Sequence, residues 1–318
     1  MQQKELNIVF GIDNNYARHL AACIRSLLVN SPQEHFHFFI FSLELSKETK
    51  SDLQNWITEQ KQNISFIDID QKIIKNFPIK NTDYISLASY LRLFIPKFIP
   101  QDISKVLYID SDIIFKGSIT ELYNTDISNY ATAAIEDAPS NNPLRLGYDP
   151  KFSYFNAGVQ LLNLDYLRHI DFTKKALDYI KFNSEKIVLH DQDVMNALLH
   201  QHVYFLPIKW NMLDCYYIKP YRISEKYMSD IKNRQKDAVI IHFSGPIKPW
   251  HYGCRHPLKK LYSKFAQQSP IRSKIDKWGG LKKFPKRIRW MILLGFPWGL
   301  INTVNGFFSK IEGRIHAI

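Results

Sequence analysis

Two aspartates, Asp110 and Asp112, interrupt the apolar run "KVLYIDSDIIF". A buried carboxylate loses several kcal/mol of hydration, so a close pair in such a setting needs positive charge nearby. On a strand, residues i and i+2 share one face about 7 Å apart. A divalent cation between them would supply the missing charge. For this short and common pattern alone, a capped turn or pairing with nearby lysines is the first reading. Also open is an aspartyl-phosphate site, in which the first Asp is a nucleophile and the second a general acid.

A second stretch, "IIHFSGPIKPW" (240–250), narrows the chemistry. A strand delivers His242 into a loop with Gly245, Lys248 and Trp250. Neutral imidazole with two carboxylates forms a mixed nitrogen and oxygen set that suits Mn²⁺. Glycine permits close backbone approach to a ligand, and lysine is a point charge suited to phosphate. This loop has no role in aspartyl-phosphate chemistry, which also expects its nucleophile on the first strand.

The elements needed to position these groups are legible in order. "LNIVF" reads as a buried first strand ended by Gly11, and "YARHLAACIRSLLVN" has helical spacing of apolar residues. "FHFFIFSL" and "ISFIDID" read as strands two and three, separated by a helix opened at Ser46. "YISLASYLRLFIP" reads as a helix up to Pro96, and "KVLYIDSDII" as a continuous fourth strand. Further on, "YATAAIED" and "FNAGVQLLNLD" look like strands, "DQDVMNALLHQ" like a helix and "DAVIIHFSG" like a late strand. Strand alternating with helix predicts an α/β fold with a mainly parallel sheet.

The chain has 318 residues, 45% of them hydrophobic, enough for a sizeable core. Its three cysteines, Cys23, Cys215 and Cys254, are scattered and read as reduced thiols. The opening "MQQKELNIVFGID" lacks the pattern of a signal peptide, so a cytoplasmic location is expected. The net charge of +12 is concentrated: from Arg272 onward ten basic residues face two acidic ones.

Taken as an ordered set, "IVFGIDNNY", "SYLRL", "LYIDSDIIFKGSITELY", "YFNAGVQLLNL", "DQDVMNALL" and "HFSGPIKPW" resemble the family 8 glycosyltransferases, particularly bacterial lipopolysaccharide core galactosyl- and glucosyltransferases. The match spans Ile8 to Trp250. The resemblance implies a GT-A fold, a Rossmann-like mixed and mainly parallel sheet flanked by helices. It also implies transfer of an α-linked hexose, with retention, from UDP-galactose or UDP-glucose to a lipid-linked lipopolysaccharide core acceptor. Asp110, Asp112 and His242 would then hold Mn²⁺, with Mg²⁺ as the alternative. Asp13, Asn15 and Tyr16 would contact the nucleoside, Arg92 would face the donor, and Gly245 and Lys248 would hold the diphosphate. Asn156 and Asp137 would meet sugar hydroxyls of donor and acceptor. Asp191 and Gln192 would face the donor sugar near its anomeric carbon. Where relatives often carry a histidine near the phosphates, this chain has Tyr84, which donates a hydrogen bond without positive charge. A non-catalytic glycan- or lipid-binding scaffold would need neither the three metal-ligand candidates nor Lys248.

The expected division is a catalytic domain over 1–265 and a basic, aromatic, helical tail over 266–318. From Trp290 to Ser309 the tail has no charged residue, but glycines, asparagines and Pro297 interrupt it. With tryptophans at 278, 290 and 298 beside the basic cluster, it suits attachment to an anionic surface, the inner face of the inner membrane. No nucleic-acid-binding pattern accompanies the charge. The full chain should therefore sediment with anionic liposomes and a chain truncated near residue 268 should not. High salt should weaken attachment, since each Lys or Arg near an anionic surface is worth about 1 kcal/mol. Equal sedimentation of the two chains would contradict the tail's role.

Overall fold

The computed structural model describes residues 5–79, 86–218, 223–251 and 253–271. Tyr84 and the expected tail from 272 onward lie outside the described residues. The main sheet has seven strands. They are β1 (Glu5–Asp13), β2 (His35–Leu43), β3 (Asn63–Asp68), β4 (Lys105–Ile109), β6 (Thr132–Ala134), β7 (Val159–Asn163) and β8 (Val203–Phe205), in the order β3-β2-β1-β4-β7-β6-β8. Pairing is parallel except where β7 meets β4 and β6. A second sheet of β5 (Ile113–Phe115), β10 (Ile240–His242) and β9 (Met212–Leu213) packs beside it.

Strand alternation sorts the core onto the sheet's two faces. Ile8, Phe10, Leu107 and Ile109 point to one face, under the helices Ala17–Asn30 and Lys259–Gln267. Val9, Val106 and Tyr108 point to the other, toward the 3-10 helix Leu87–Phe94 and the helix Phe172–Phe182. Buried on both faces, the middles of β1, β2 and β4 are apolar, as in parallel sheets generally.

Four expectations change. The fourth strand is not continuous: it stops at Ile109, and Ile113 begins a strand of the other sheet. The intervening residues form a turn in which Asp112 is buried and Asp110 partly exposed. Gly11 does not end the first strand but lies inside it. A Cβ there would sit 3.2 Å from the Ala88 carbonyl, so glycine lets the 3-10 helix approach. Pro96 does not end a helix; it occupies the first turn of a short one, Ile95–Phe98, where its missing N–H costs nothing. "YATAAIED" and "FNAGVQLLNLD" contribute only the short strands β6 and β7.

The helix Lys259–Gln267 runs through position 265, with Phe265 and Ala266 buried. Among the described residues no helix is long and apolar enough to cross a membrane. Leu107 is fully buried and pairs with Ile8 on one side and Leu161 on the other. Leu107→Ala should cost about 2–5 kcal/mol through lost contacts and the residual cavity. A lowered urea midpoint at unchanged slope would be the signature; an unchanged midpoint would contradict this packing.

Candidate active site

Strand order reverses beside β1, and in such sheets ligands bind past the carboxyl ends of the strands at that point. There the protein has a cleft of about 300 Å³. Its floor is the end of β1 (Gly11 to Asp13) and the turn after β4 (Asp110 to Asp112).

Register brings the remaining groups in. Because β7 runs antiparallel to β4, Ile109 faces Val159, and the Asp110 N–H donates to the Gly158 carbonyl at 2.8 Å. The segment just before β7 therefore lies against the first aspartate. In the second sheet Ile113 pairs with His242, and the Phe243 N–H donates to the Asp112 carbonyl at 3.0 Å. The second aspartate is thus fixed against the histidine. His242 Nε2 lies 3.3 Å from Asp112 Oδ1 and 3.8 Å from Asp110 Oδ2. One ligand atom from each of the three falls within 4.8 Å of the others. His242 Nδ1 is engaged by Asn211 Oδ1 at 2.9 Å, which leaves Nε2 to face the carboxylates. Two carboxylate oxygens and one imidazole nitrogen, converging on one cleft, fit a divalent cation.

Gly158 makes this convergence possible. A Cβ on it would lie 2.3 Å from His242 Cε1 and 2.8 Å from Asp110 Oδ2.

The carboxylates already have protein cations. Asp110 Oδ1 accepts from Arg92 at 2.8 Å and from the Tyr108 hydroxyl at 2.9 Å. Asp112 Oδ2 accepts directly from Lys248 Nζ, which also donates to the Phe243 carbonyl at 2.8 Å. Burial opposes charge on Asp112, but Lys248 outweighs it and holds the carboxyl well below its ordinary range. Burial likewise opposes charge on Lys248, yet Asp112 holds its pKa above the usual lysine value. Lys248 thus stays protonated at neutral pH.

Arg92 lines the cleft, with its guanidinium clamped from several sides. It pairs with Asp191 at 2.7 Å, donates to the Ala157 carbonyl and stacks 4.1 Å over the Tyr108 ring. Burial lifts Asp191 to about 6, against the opposing pull of Arg92. The two aspartates of "DQD" divide their work. Asp191 faces the cleft; Asp193 is fully buried and takes Arg145, the Tyr154 hydroxyl and the N–H groups of Val188 and Leu189.

In the same cleft Gln192 Nε2 donates to Asp137 Oδ2 at 2.8 Å, while its Oε1 accepts from the Ala157 N–H at 2.9 Å. Asn156 Nδ2 donates to the same Asp137 oxygen at 3.3 Å. Burial raises the Asp137 pKa, and the three donors around it (Ala138 N–H, Asn156, Gln192) resist that rise. Asp13 lines the cleft, and its Oδ1 accepts the N–H groups of Asn15 and Tyr16 at 2.9 and 3.1 Å. Tyr16 presents its ring there, edge-on to Trp250, and burial pushes its hydroxyl up to about 12.

Eleven expected residues therefore line one cleft: Asp13, Tyr16, Arg92, Asp110, Asp112, Asp137, Asn156, Asp191, Gln192, His242 and Lys248. Asn15 and Gly245 do not. Asn15 is exposed beside Asp13. Gly245 is turned onto Asp214: its N–H donates to Asp214 Oδ2 at 2.9 Å, and a Cβ would meet that oxygen at 2.4 Å. Sequence reading missed Gly158, Asn211 and Asp214. Only Gly158 carried a signal, lying inside the quoted "FNAGV".

Sheet order and the cleft at the switch point, with its three candidate metal ligands, are those of a GT-A glycosyltransferase fold. The chain belongs to glycosyl transferase family 8, whose family model matches residues 7–254. It is 32% identical over 256 residues to a putative glycosyltransferase of Haemophilus influenzae, covering 79% of this chain and 74% of that protein. It is 31% identical over 281 residues to the lipopolysaccharide 1,2-glucosyltransferase of Escherichia coli, covering 86% and 81%. Among solved structures, the galactosyltransferase LgtC in complex with donor and acceptor sugar analogues superposes with a TM-score of 0.75 at 26% identity. That match covers 88% of this chain and all of the other.

Gly158→Ala should push His242 away from the aspartates. Metal-induced thermal stabilisation, which follows mass action on the native state, should fall while far-ultraviolet circular dichroism stays native. Full metal-induced stabilisation in this variant would contradict the close approach.

Proposed function

We propose that this protein transfers an α-linked hexose, galactose or glucose, from its UDP-sugar to a lipopolysaccharide or lipooligosaccharide core acceptor, with retention and in dependence on Mn²⁺. The observation that carries the reading is the convergence of Asp110, Asp112 and His242 in one cleft with Asp137, Asn156 and Gln192. The lipopolysaccharide glucosyltransferase among the relatives and LgtC with its sugar analogues support the substrate class.

Mn²⁺ held by the three ligands would supply Lewis-acid stabilisation of the departing diphosphate. Lys248, fixed as an ammonium, adds a second positive charge on the same side. Asp13 and Tyr16 provide a polar edge and a ring face for a nucleobase, and adjacent Asn15 adds a further hydrogen-bonding group. The sugar would lie toward Asn156 and Asp137. For retention, a double displacement needs a free nucleophile beneath the anomeric carbon. Gln192 is an amide, Asp191 is tied to Arg92, and Asp137 already accepts two amide N–H groups. This arrangement favours a same-face route, in which the second lone pair of Gln192 Oε1 meets developing positive charge. The expected location is the cytoplasmic face of the inner membrane, with residues 266–318 as the attachment segment.

The test is turnover of a panel of UDP-sugars with and without Mn²⁺, followed by NMR of the product. UDP-galactose or UDP-glucose should be consumed only with metal and give an α-anomeric coupling constant. Asp112→Asn should lower turnover at least 100-fold. Metal-independent turnover or a β-linked product would overturn the reading.

A further inference from the structure

Behind the metal-ligand candidates lies a chain of amides that no expected site residue explains. Asn211 sits at the end of a short 3-10 turn (Ile208–Trp210), immediately before β9, and is fully buried. Both ends of its side chain are used. Oδ1 is 2.9 Å from His242 Nδ1, and Nδ2 is 2.9 Å from Asn156 Oδ1.

Amide and imidazole orientations are ordinarily ambiguous, since oxygen and nitrogen cannot be told apart by shape. Here one backbone group removes the ambiguity. The Gly158 N–H can only donate, and it points at Asn156 from 3.0 Å, so the atom it meets is Oδ1. The Asn211 atom facing that same oxygen must then be Nδ2, and its other end must be the acceptor Oδ1. His242 Nδ1 must therefore carry the proton. Downstream the direction is the same: Asn156 Nδ2 and Gln192 Nε2 both donate to Asp137 Oδ2, the anionic end of the chain.

We infer that Asn211 is a positioning residue. It holds His242 with Nδ1 protonated and Nε2 bare toward Asp110 and Asp112, and it ties that histidine to Asn156, Asp137 and Gln192 through one directed series of hydrogen bonds. A ligating histidine needs its second nitrogen held in this way, which sets both tautomer and ring orientation. Strand geometry alone places His242 but does not choose its tautomer. The same series links the metal side of the cleft to the side that would meet the sugar. Through Asn156 and Asp137, a displacement of His242 would be felt at the Gln192 amide.

This inference rests on the metal reading of the site, and its test separates the two. In the metal-free full chain labelled with ¹⁵N-histidine, long-range ¹H–¹⁵N spectra report the tautomer of each ring, and His242→Gln assigns the signal. The expected result is a protonated Nδ1 on His242; an Nε2–H tautomer would overturn the inference. Mn²⁺ affinity, read from the electron paramagnetic resonance of free Mn²⁺, gives a second arm. Asn211→Leu, similar in size but unable to accept, should bind Mn²⁺ about 10- to 100-fold more weakly. Asn211→Asp, which still offers Nδ1–H an acceptor, should bind at least as tightly as the unmodified protein. Equal affinity of Asn211→Leu and the unmodified protein would overturn the inference. If Asn211→Leu does not fold, the tautomer and Asn211→Asp still decide. If the unmodified chain binds no Mn²⁺, the metal reading fails, and the tautomer alone decides whether Asn211 plays this part.

Discussion

The structure turns on how two aspartates, two residues apart, are each paired with a protein cation where the chain passes from one sheet into another. Asp110 is held by Arg92 from the 3-10 helix, and Asp112 by Lys248 from the loop after β10. These cations come from 18 residues before Asp110 and 136 residues after Asp112. Removing one member of a buried pair leaves an uncompensated charge, at a cost of about 3–5 kcal/mol. The charge that prepares the site is therefore also a clasp between the first sheet, the second sheet and the helix between β3 and β4.

That clasp explains why β4 ends where it does. A continuous strand would have put both carboxylates on one sheet face with fixed separation. The turn instead aims Asp110 toward Arg92 and Asp112 toward Lys248, while both keep an oxygen near His242 Nε2. Each aspartate is shared between a protein cation and the ligand position, so neither carboxylate can be exchanged without disturbing two partners. Arg92 carries this further: clamped by Asp110, Asp191 and the Ala157 carbonyl, it joins the turn after β4, the helix His190–Leu199 and the segment before β7.

What the sequence made legible follows from the range of the forces involved. The α/β alternation, the Ser46 cap and the helix carrying "DQD" are local, set by periodicity and capping, and they appear as expected. The ordered motifs located most of the cleft wall because their residue types are unusual inside apolar runs. The break in β4 was hidden, because Ile113, Ile114 and Phe115 are as strand-like as Val106 and Leu107; only the partner strand differs. For Gly158 and Gly245 the reason is the same: their lack of a side chain makes room for His242 and Asp214, residues distant in the chain. Asn211 has no local signal, since its two partners lie 31 and 55 residues away.

The packing of the helix Lys259–Gln267 on the helix Ala17–Asn30 has a consequence for synthesis. Tyr262 closes that contact, its hydroxyl 2.6 Å from His19 Nδ1 across 243 residues. During translation the apolar flank of the first helix therefore waits, uncovered, until nearly the whole body has left the ribosome. Contacts of such sequence separation form late and slow folding, and exposed apolar surface in the interval invites association with other chains. A nascent chain halted before residue 259 would present that flank to chaperones, even with every strand of the main sheet already made.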